Sequence, residues 1–340
     1  MKIQKRLFVL LAITLLIVSA FAVNLNVFAA KKLVVGIACR EIVNDYNRGV
    51  IDGVKKVVEA AGGEVIVTDA QTDIRKHIDN VSNLITRKVS GIIVQLGDPE
   101  QMASVFQKAK KAKIPVVTTT FGKLTPGALC DVAADDVTMT KMLTKQMLAD
   151  IHDKGKVYIV SVPGAPVLET RVKTMKEILS GYKDIKLADV VPTQHSVPYT
   201  LNVMQNILTA NPNPGDIAAV FVTYDQIASG AVQAIKNANR SKDMKVYSID
   251  GDQIGYQMLF DKEGPFYATI SQNSADTGEA AATTLMKALK GQAKNIPPIV
   301  FPPVSLVSKT DFAGAIAVAK KKWGANALQL MSVNEKDLLK

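Results

Sequence analysis

Between residues 32 and 271 the chain repeats one pattern: a short run of apolar and β-branched residues, a turn, then a stretch of helical periodicity. The runs are KLVVGIA (32–38), EVIVTD (64–69), GIIVQL (91–96), IPVVTTT (114–120) and ALCDVAA (128–134). They continue with KVYIVSV (156–162), IKLADVV (185–191), IAAVFVT (217–223), MKVYSID (244–250) and YATIS (267–271). Runs that are apolar throughout bury both faces, which requires helices above and below a mostly parallel sheet. Amphipathic stretches at 46–61, 73–88, 98–112, 136–151, 199–210, 225–238 and 274–290 supply those helices. No 20–50-residue sequence repeat accompanies the alternation, so a solenoid is excluded.

Ten strands with helices between them fit two doubly wound sheets better than one. A break near Ala134-Asp135 separates the first five strands from the rest. The tail after Val307 is polar and helical in pattern, and reads as a surface extension rather than a third domain. The fold class expected is therefore α/β, with two doubly wound parallel-sheet lobes.

Residues 1–30 carry a basic start (Lys2, Lys5, Arg6), an uncharged apolar run over 7–23 and small residues after it. That is the layout of a secretory signal peptide, and cleavage after Ala22, Ala29 or Ala30 fits it; an uncleaved anchor is the alternative. The protein is expected to work in the periplasm or on the outer side of the cytoplasmic membrane. Cleavage removes three of the 41 basic residues and takes the formal charge from +10 to +7. The remaining lysines are spread out, without the clustering and interleaved aromatics of a nucleic-acid track, so no nucleic-acid partner is expected. Two cysteines exclude a disulfide framework, and Cys39 and Cys130 read as buried free thiols. The three histidines are far apart, so neither a metal nor another cofactor is expected.

In open parallel sheets ligands bind beyond the carboxyl ends of the strands. That rule selects Arg40 and Glu41, Gln95 to Asp98, Thr120 and Phe121, Ser161 to Gly164, Tyr224 and Asp225, Asp250, and Gln272. Amides, charges and aromatics together suit a polar small-molecule cleft. No GxSxG elbow, phosphate loop or GxGxxG turn is present, so an enzyme is not expected.

Four segments carry a family likeness: LNVMQNILTANP (201–212), AAVFVTYDQIASGAVQAI (218–235), VYSIDGDQIG (246–255) and ATISQNSADTGEAA (268–281). In order and spacing they resemble the type I sugar-binding proteins of ABC transporters, the ribose-binding group above all, over nearly all of residues 33–309. The resemblance implies two lobes joined by a three-segment hinge near Ala134-Asp135, Gln272-Asn273 and Pro303. One lobe is then residues 31–134 plus 272–303, the other 135–271 plus 304–309, followed by a helical extension over 310–340. It also implies a monomer that closes on a small sugar or polyol and docks on an ABC permease.

By that likeness Arg171, Asp250 and Gln272 lie at ligand contacts, Asn44 at a further polar one, and Tyr46 where an aromatic stacks on the sugar. Asp250 reads equally as a helix N-cap, and Tyr46 as a buried core residue. The chain departs from the family at Arg40, at Thr120-Phe121 in place of an Asp-Arg pair, at His195 in place of an aromatic, and at Tyr224 in place of an asparagine. Losing the Asp-Arg pair removes charge-assisted hydrogen bonds worth roughly 1.5–3 kcal/mol each. Phe121 and Tyr224 offer stacking surface instead, which suits another sugar, a polyol or a nucleoside. Arg40 with Arg171 would suit an acidic ligand, unless Glu41 or Asp250 pairs with them. A ligand sensor for a chemoreceptor or histidine kinase is the alternative to an importer component.

Overall fold

The computed structural model describes residues 32–42 and 45–340; the expected signal segment and Asn44 lie outside the described residues. The first sheet begins with β1 (Val34–Cys39), β2 (Glu64–Asp69), β3 (Gly91–Gln95), β4 (Val116–Thr119) and β5 (Cys130–Val132). Helices α1 (Asp45–Ala60), α2 (Ile74–Thr86) and α3 (Pro99–Lys111) connect its first four strands. The start of each helix is written locally. Asp73 and Asp98 cap α2 and α3 by accepting two backbone N–H groups each, and Pro99 stands in the first turn of α3, where no N–H is needed.

The second sheet alternates α4 (Asp136–Asp150), β6 (Gly155–Ser161), α5 (Pro166–Leu179), β7 (Ile185–Pro192), α6 (Val197–Ala210) and β8 (Ala219–Val222). It continues with α7 (Asp225–Asn237), β9 (Lys245–Asp250), α8 (Gln253–Phe260) and β10 (Phe266–Gln272). The chain then returns to the first sheet through α9 (Ser274–Leu289) and β11 (Ile299–Val300), and crosses back as β12 (Val304–Ser308). The strand orders are β11-β5-β4-β3-β1-β2 and β12-β10-β9-β8-β6-β7. All pairings are parallel except β12 against β10. The expected α/β class, two mostly parallel sheets, is the observed one.

Two glycines explain how α9, which follows a strand of the second sheet, docks on the first. A Cβ on Gly278 would sit 2.0 Å from the Val50 carbonyl oxygen, and one on Gly53 2.1 Å from that of Ala275. Bare backbone on both helices lets α1 and α9 approach closely, over a core that includes Val50, Val54, Ala281 and Leu285. Cys39 and Cys130 are buried free thiols in that same layer, and burial pushes both up to about 12.

The C-terminal tail departs from expectation. It forms α10 (Phe312–Trp323), α11 (Ala327–Leu330) and α12 (Glu335–Leu338), and these helices are part of the second lobe's core. Ala315, Ile316, Ala319, Ala327, Leu328, Met331 and Leu338 are all buried there, and Trp323 meets Tyr256 edge-on with ring centroids 5.0 Å apart. The lysines suggest a surface element, but a narrow stripe of small apolar residues on α10 is enough to seat it.

Candidate functional site

The carboxyl ends of β6, β8, β9 and β10 carry the second lobe's polar set. Arg171, on α5, is 5% exposed and is held by partners of its own lobe. Its Nε donates to Asp136 Oδ1 (2.7 Å), and one terminal nitrogen donates to the Thr223 carbonyl (2.7 Å) and to Asp250 Oδ1 (3.3 Å). Gln272 Nε2 donates to the same Asp250 oxygen at 3.1 Å. Asp250 thus gathers a guanidinium and an amide on one oxygen while its side chain remains 36% exposed. Burial pushes it up to about 6; Arg171 opposes that rise, Asp252 adds to it, and Lys322 lowers it.

Asp250 also has φ +138°, a backbone region rarely held by residues other than glycine, and Gly251 follows at φ +58°. The tight turn aims the carboxylate off the strand end. The N-cap of the next helix is Asp252, which accepts from the Gly255 N–H, so capping is not Asp250's role. Asp225 is buried beneath, accepting from Ser248, from Thr269 (2.8 Å) and from the Asp252 N–H (3.1 Å), and burial raises it strongly.

A cavity of about 300 Å³ opens over this set, lined by Arg171, Asp250, His195, Tyr224, Gln226 and the apolar Val167 and Leu168. His195 Nδ1 and the Tyr224 hydroxyl are 2.7 Å apart, with rings tilted at 5.7 Å, so the two form one polar-edged aromatic wall. Burial and the Asp250 carboxylate push the Tyr224 hydroxyl up to about 12, so it remains a donor at neutral pH.

The first lobe's contribution is neutral. Tyr46, at the start of α1, places its hydroxyl 3.3 Å from Thr120 Oγ1. Burial raises it, and the carboxylates of Asp250 and Asp131 raise it further. The Asp250 effect on Tyr46 comes from the other lobe, while the cavity itself is lined by second-lobe residues. Thr120 has φ +62°, and the chain turns there around Asp131, whose carboxylate accepts from Thr118 Oγ1 (2.7 Å) and from the Phe121 (3.1 Å) and Gly122 (2.8 Å) N–H groups.

That turn decides the fate of Phe121. The ring goes to the core, 9% exposed, over Gly97 and against Phe106 at 6.0 Å. The stacking surface expected of Phe121 is therefore absent from the cleft. Arg40 is exposed at the end of β1. An acidic ligand shared by Arg40 and Arg171 does not fit either, because Asp136 and Asp250 already balance Arg171. Asp136, Gln226 and the Val167-Leu168 pair were not singled out from sequence. Asp136 had a visible signal, an aspartate doublet at the first crossover; the others had none.

Among the described residues no group of three or more His, Cys, Asp or Glu side chains is placed to hold a metal ion. The arrangement offers the Asp250 carboxylate, the Arg171 guanidinium, the amides of Gln226 and Gln272, and the His195–Tyr224 aromatic pair around a small cavity. That chemistry grips hydroxyl groups and contains no activated nucleophile.

The periplasmic binding protein domain family matches residues 35–293. The ribose import binding protein of Escherichia coli K12 is 27% identical over 280 residues, 82% of this chain and 92% of its own length. The galactofuranose-binding protein of the same organism is 25% identical over 269 residues, covering 77% and 85%. Among solved structures, a periplasmic solute-binding protein of Actinobacillus succinogenes with bound D-allose superposes with TM-score 0.69 at 25% identity, covering 83% of this chain and all of the other. An ABC sugar transporter subunit of Rhodobacter sphaeroides gives TM-score 0.66 at 27% identity, covering 81% and 97%.

Proposed function

Because this chain belongs to the periplasmic binding protein family, we propose that it captures a neutral sugar or polyol between its lobes and delivers it to an ABC importer. It is a binding protein and not an enzyme. The observation that carries the choice of ligand is Asp250, which holds Arg171 and Gln272 on one oxygen and leaves the carboxylate partly open to the cavity. An ionised carboxylate accepts from neighbouring hydroxyls, each such charge-assisted bond contributing roughly 1.5–3 kcal/mol. Asp136 and Asp250 already pair with the Arg171 guanidinium, which disfavours its use for the carboxylate of a sugar acid. Tyr224 and His195 supply the face on which sugar C–H groups rest.

Closure of the lobes would bring both polar sets onto the ligand. Ligand first meets the second lobe's set; the Tyr46 and Thr120 hydroxyls then reach it only if the first lobe swings in. A ligand bound better by the closed form shifts the population toward it, and the closed form is what a permease recognises. The moving units are residues 31–134 plus 272–303 against 135–271 plus 304–309, with 310–340 riding on the second. The 1–30 leader exports the protein, which acts as a monomer outside the cytoplasmic membrane.

A thermal-shift panel of D-ribose, D-allose, D-tagatose, allitol, sugar acids and nucleosides tests the reading. At a ligand concentration 100 times Kd, binding adds about 2.7 kcal/mol to stability, enough to raise Tm by several degrees. Neutral sugars or polyols should give that rise. A rise with sugar acids or nucleosides alone, or turnover of the bound compound, would contradict it.

A further inference from the structure

Lys322 lies on α10, beyond the residues the family covers, yet its ammonium reaches the heart of the cleft's support. Nζ donates to the backbone carbonyls of Gly251 and Gln272, both at 2.5 Å. One carbonyl follows Asp250 directly, and the other belongs to the residue whose amide bonds the Asp250 carboxylate. The preceding residue, Lys321, pairs with Asp276 at 3.3 Å, in the first turn of α9 on the far side of the second crossover. Trp323 seats the helix against Tyr256, and the Lys322 ammonium lies 4.8 Å from that indole ring's centre.

We propose that Lys322 is a positioning residue for the ligand-binding carboxylate, pinning the Gly251 and Gln272 carbonyls and supplying the positive charge behind Asp250. The proposal rests on the binding function above for its consequence, not for its geometry. Without Lys322, two carbonyls at the strand ends lose their charged donor, and the turn that aims Asp250 loses its brace. Gly251 has little room to adjust, since a Cβ there would lie 2.2 Å from Ser271 Cα.

The electrostatic consequence separates this role from a merely structural one. Asp250 interacts electrostatically with Arg171, Asp252 and Lys322, and with Asp225 and the Tyr224 and Tyr46 hydroxyls. Removing the one lysine should raise Asp250 above its value of about 6. Burial in turn lowers Lys322 to about 8, against the pull of Asp225, Asp250, Asp252 and Asp276.

The test compares full-length wild type, Lys322→Gln, and Lys320→Gln as a control on the same helix that removes only the Lys320–Glu335 pair. Carboxyl carbon NMR of ligand-free protein should show the Asp250 midpoint about one pH unit higher in Lys322→Gln and unchanged in Lys320→Gln. Titration calorimetry with D-allose, D-ribose and allitol should show about a tenfold loss of affinity in Lys322→Gln alone. An unmoved Asp250 midpoint in a folded Lys322→Gln variant overturns the proposal, whichever sugar binds. If Lys322→Gln fails to fold, the side-chain resonance of Lys322 in the wild type decides: titration near 8 supports the proposal, and an ordinary lysine midpoint overturns it. Failure of every sugar to bind the wild type would instead count against the proposed function.

Discussion

The substitution Asp250→Asn keeps the size of the side chain and removes its charge, and it should push binding and stability in opposite directions. The carboxylate is the acceptor at the cavity mouth, so losing one charge-assisted bond to a ligand hydroxyl costs roughly 1.5–3 kcal/mol, a 10- to 150-fold loss of affinity. Stability responds differently, because burial holds Asp250 at about 6, above its ordinary value. The folded state therefore binds this proton more tightly than the unfolded chain does. Stability due to this group falls as pH rises from about 4 through 6, and at neutral pH the ionised form works against the fold. Solvent reaches 36% of the side chain, which limits the gain from neutralising it. Asparagine also leaves Arg171 its Asp136 partner. Calorimetric melting of the ligand-free variant should give a Tm equal to or above wild type, while titration with the tightest-binding sugar shows the loss. Wild-type affinity in the variant, or a large fall in Tm with affinity intact, would refute the reasoning.

Other outcomes follow from the same geometry. Because ionised Asp250 is the stronger acceptor of ligand hydroxyls, and its ionised fraction drops about tenfold between pH 7 and pH 5, wild-type affinity should fall by up to about tenfold over that range while Asp250→Asn stays flat. Arg171→Met strands the Asp136 and Asp250 carboxylates, and denaturant unfolding should show a loss of about 3–5 kcal/mol together with weak binding. Phe121→Leu changes a core ring and not a cleft surface, so it should lower Tm while leaving sugar affinity within about twofold. Trp323→Ala should destabilise the second lobe by roughly 2–3 kcal/mol, because the half-buried indole anchors α10 on Tyr256.

Much of the architecture was legible because its signals are local. Ten apolar runs became ten strands, and helix starts were marked by Asp73, Asp98 and Asn273. The short strands β11 and β12 are two and five residues long; β11 lies between proline pairs at 297–298 and 302–303, and β12 directly follows the second pair. In β12, Ser305 and Ser308 interrupt the apolar run, and the strand pairs antiparallel at the edge of its sheet.

The site divides along similar lines. Tyr224, Asp250 and Gln272 follow from the rule that ligands gather at strand carboxyl ends, Arg171 and His195 only from the family likeness, and the structure brings these side chains together. Phe121 obeys the same rule by position but not by direction, because the left-handed backbone at Thr120 and the Asp131 anchor turn its ring inward. Asp136, although half of a visible aspartate doublet, and Lys322 could not be placed at the site for a different reason. Each acts on a residue 35 to 71 positions away, and only the crossovers and the docking of α10 bring them there.

Lobe closure is the claim on which transport depends, and small-angle X-ray scattering reads it directly. The protein with a saturating concentration of the sugar or polyol that raises its Tm most should have a smaller radius of gyration than the ligand-free protein. Asp250→Asn under the same conditions should not contract. A wild-type radius that stays the same at saturation would contradict closure of two lobes around a bound solute.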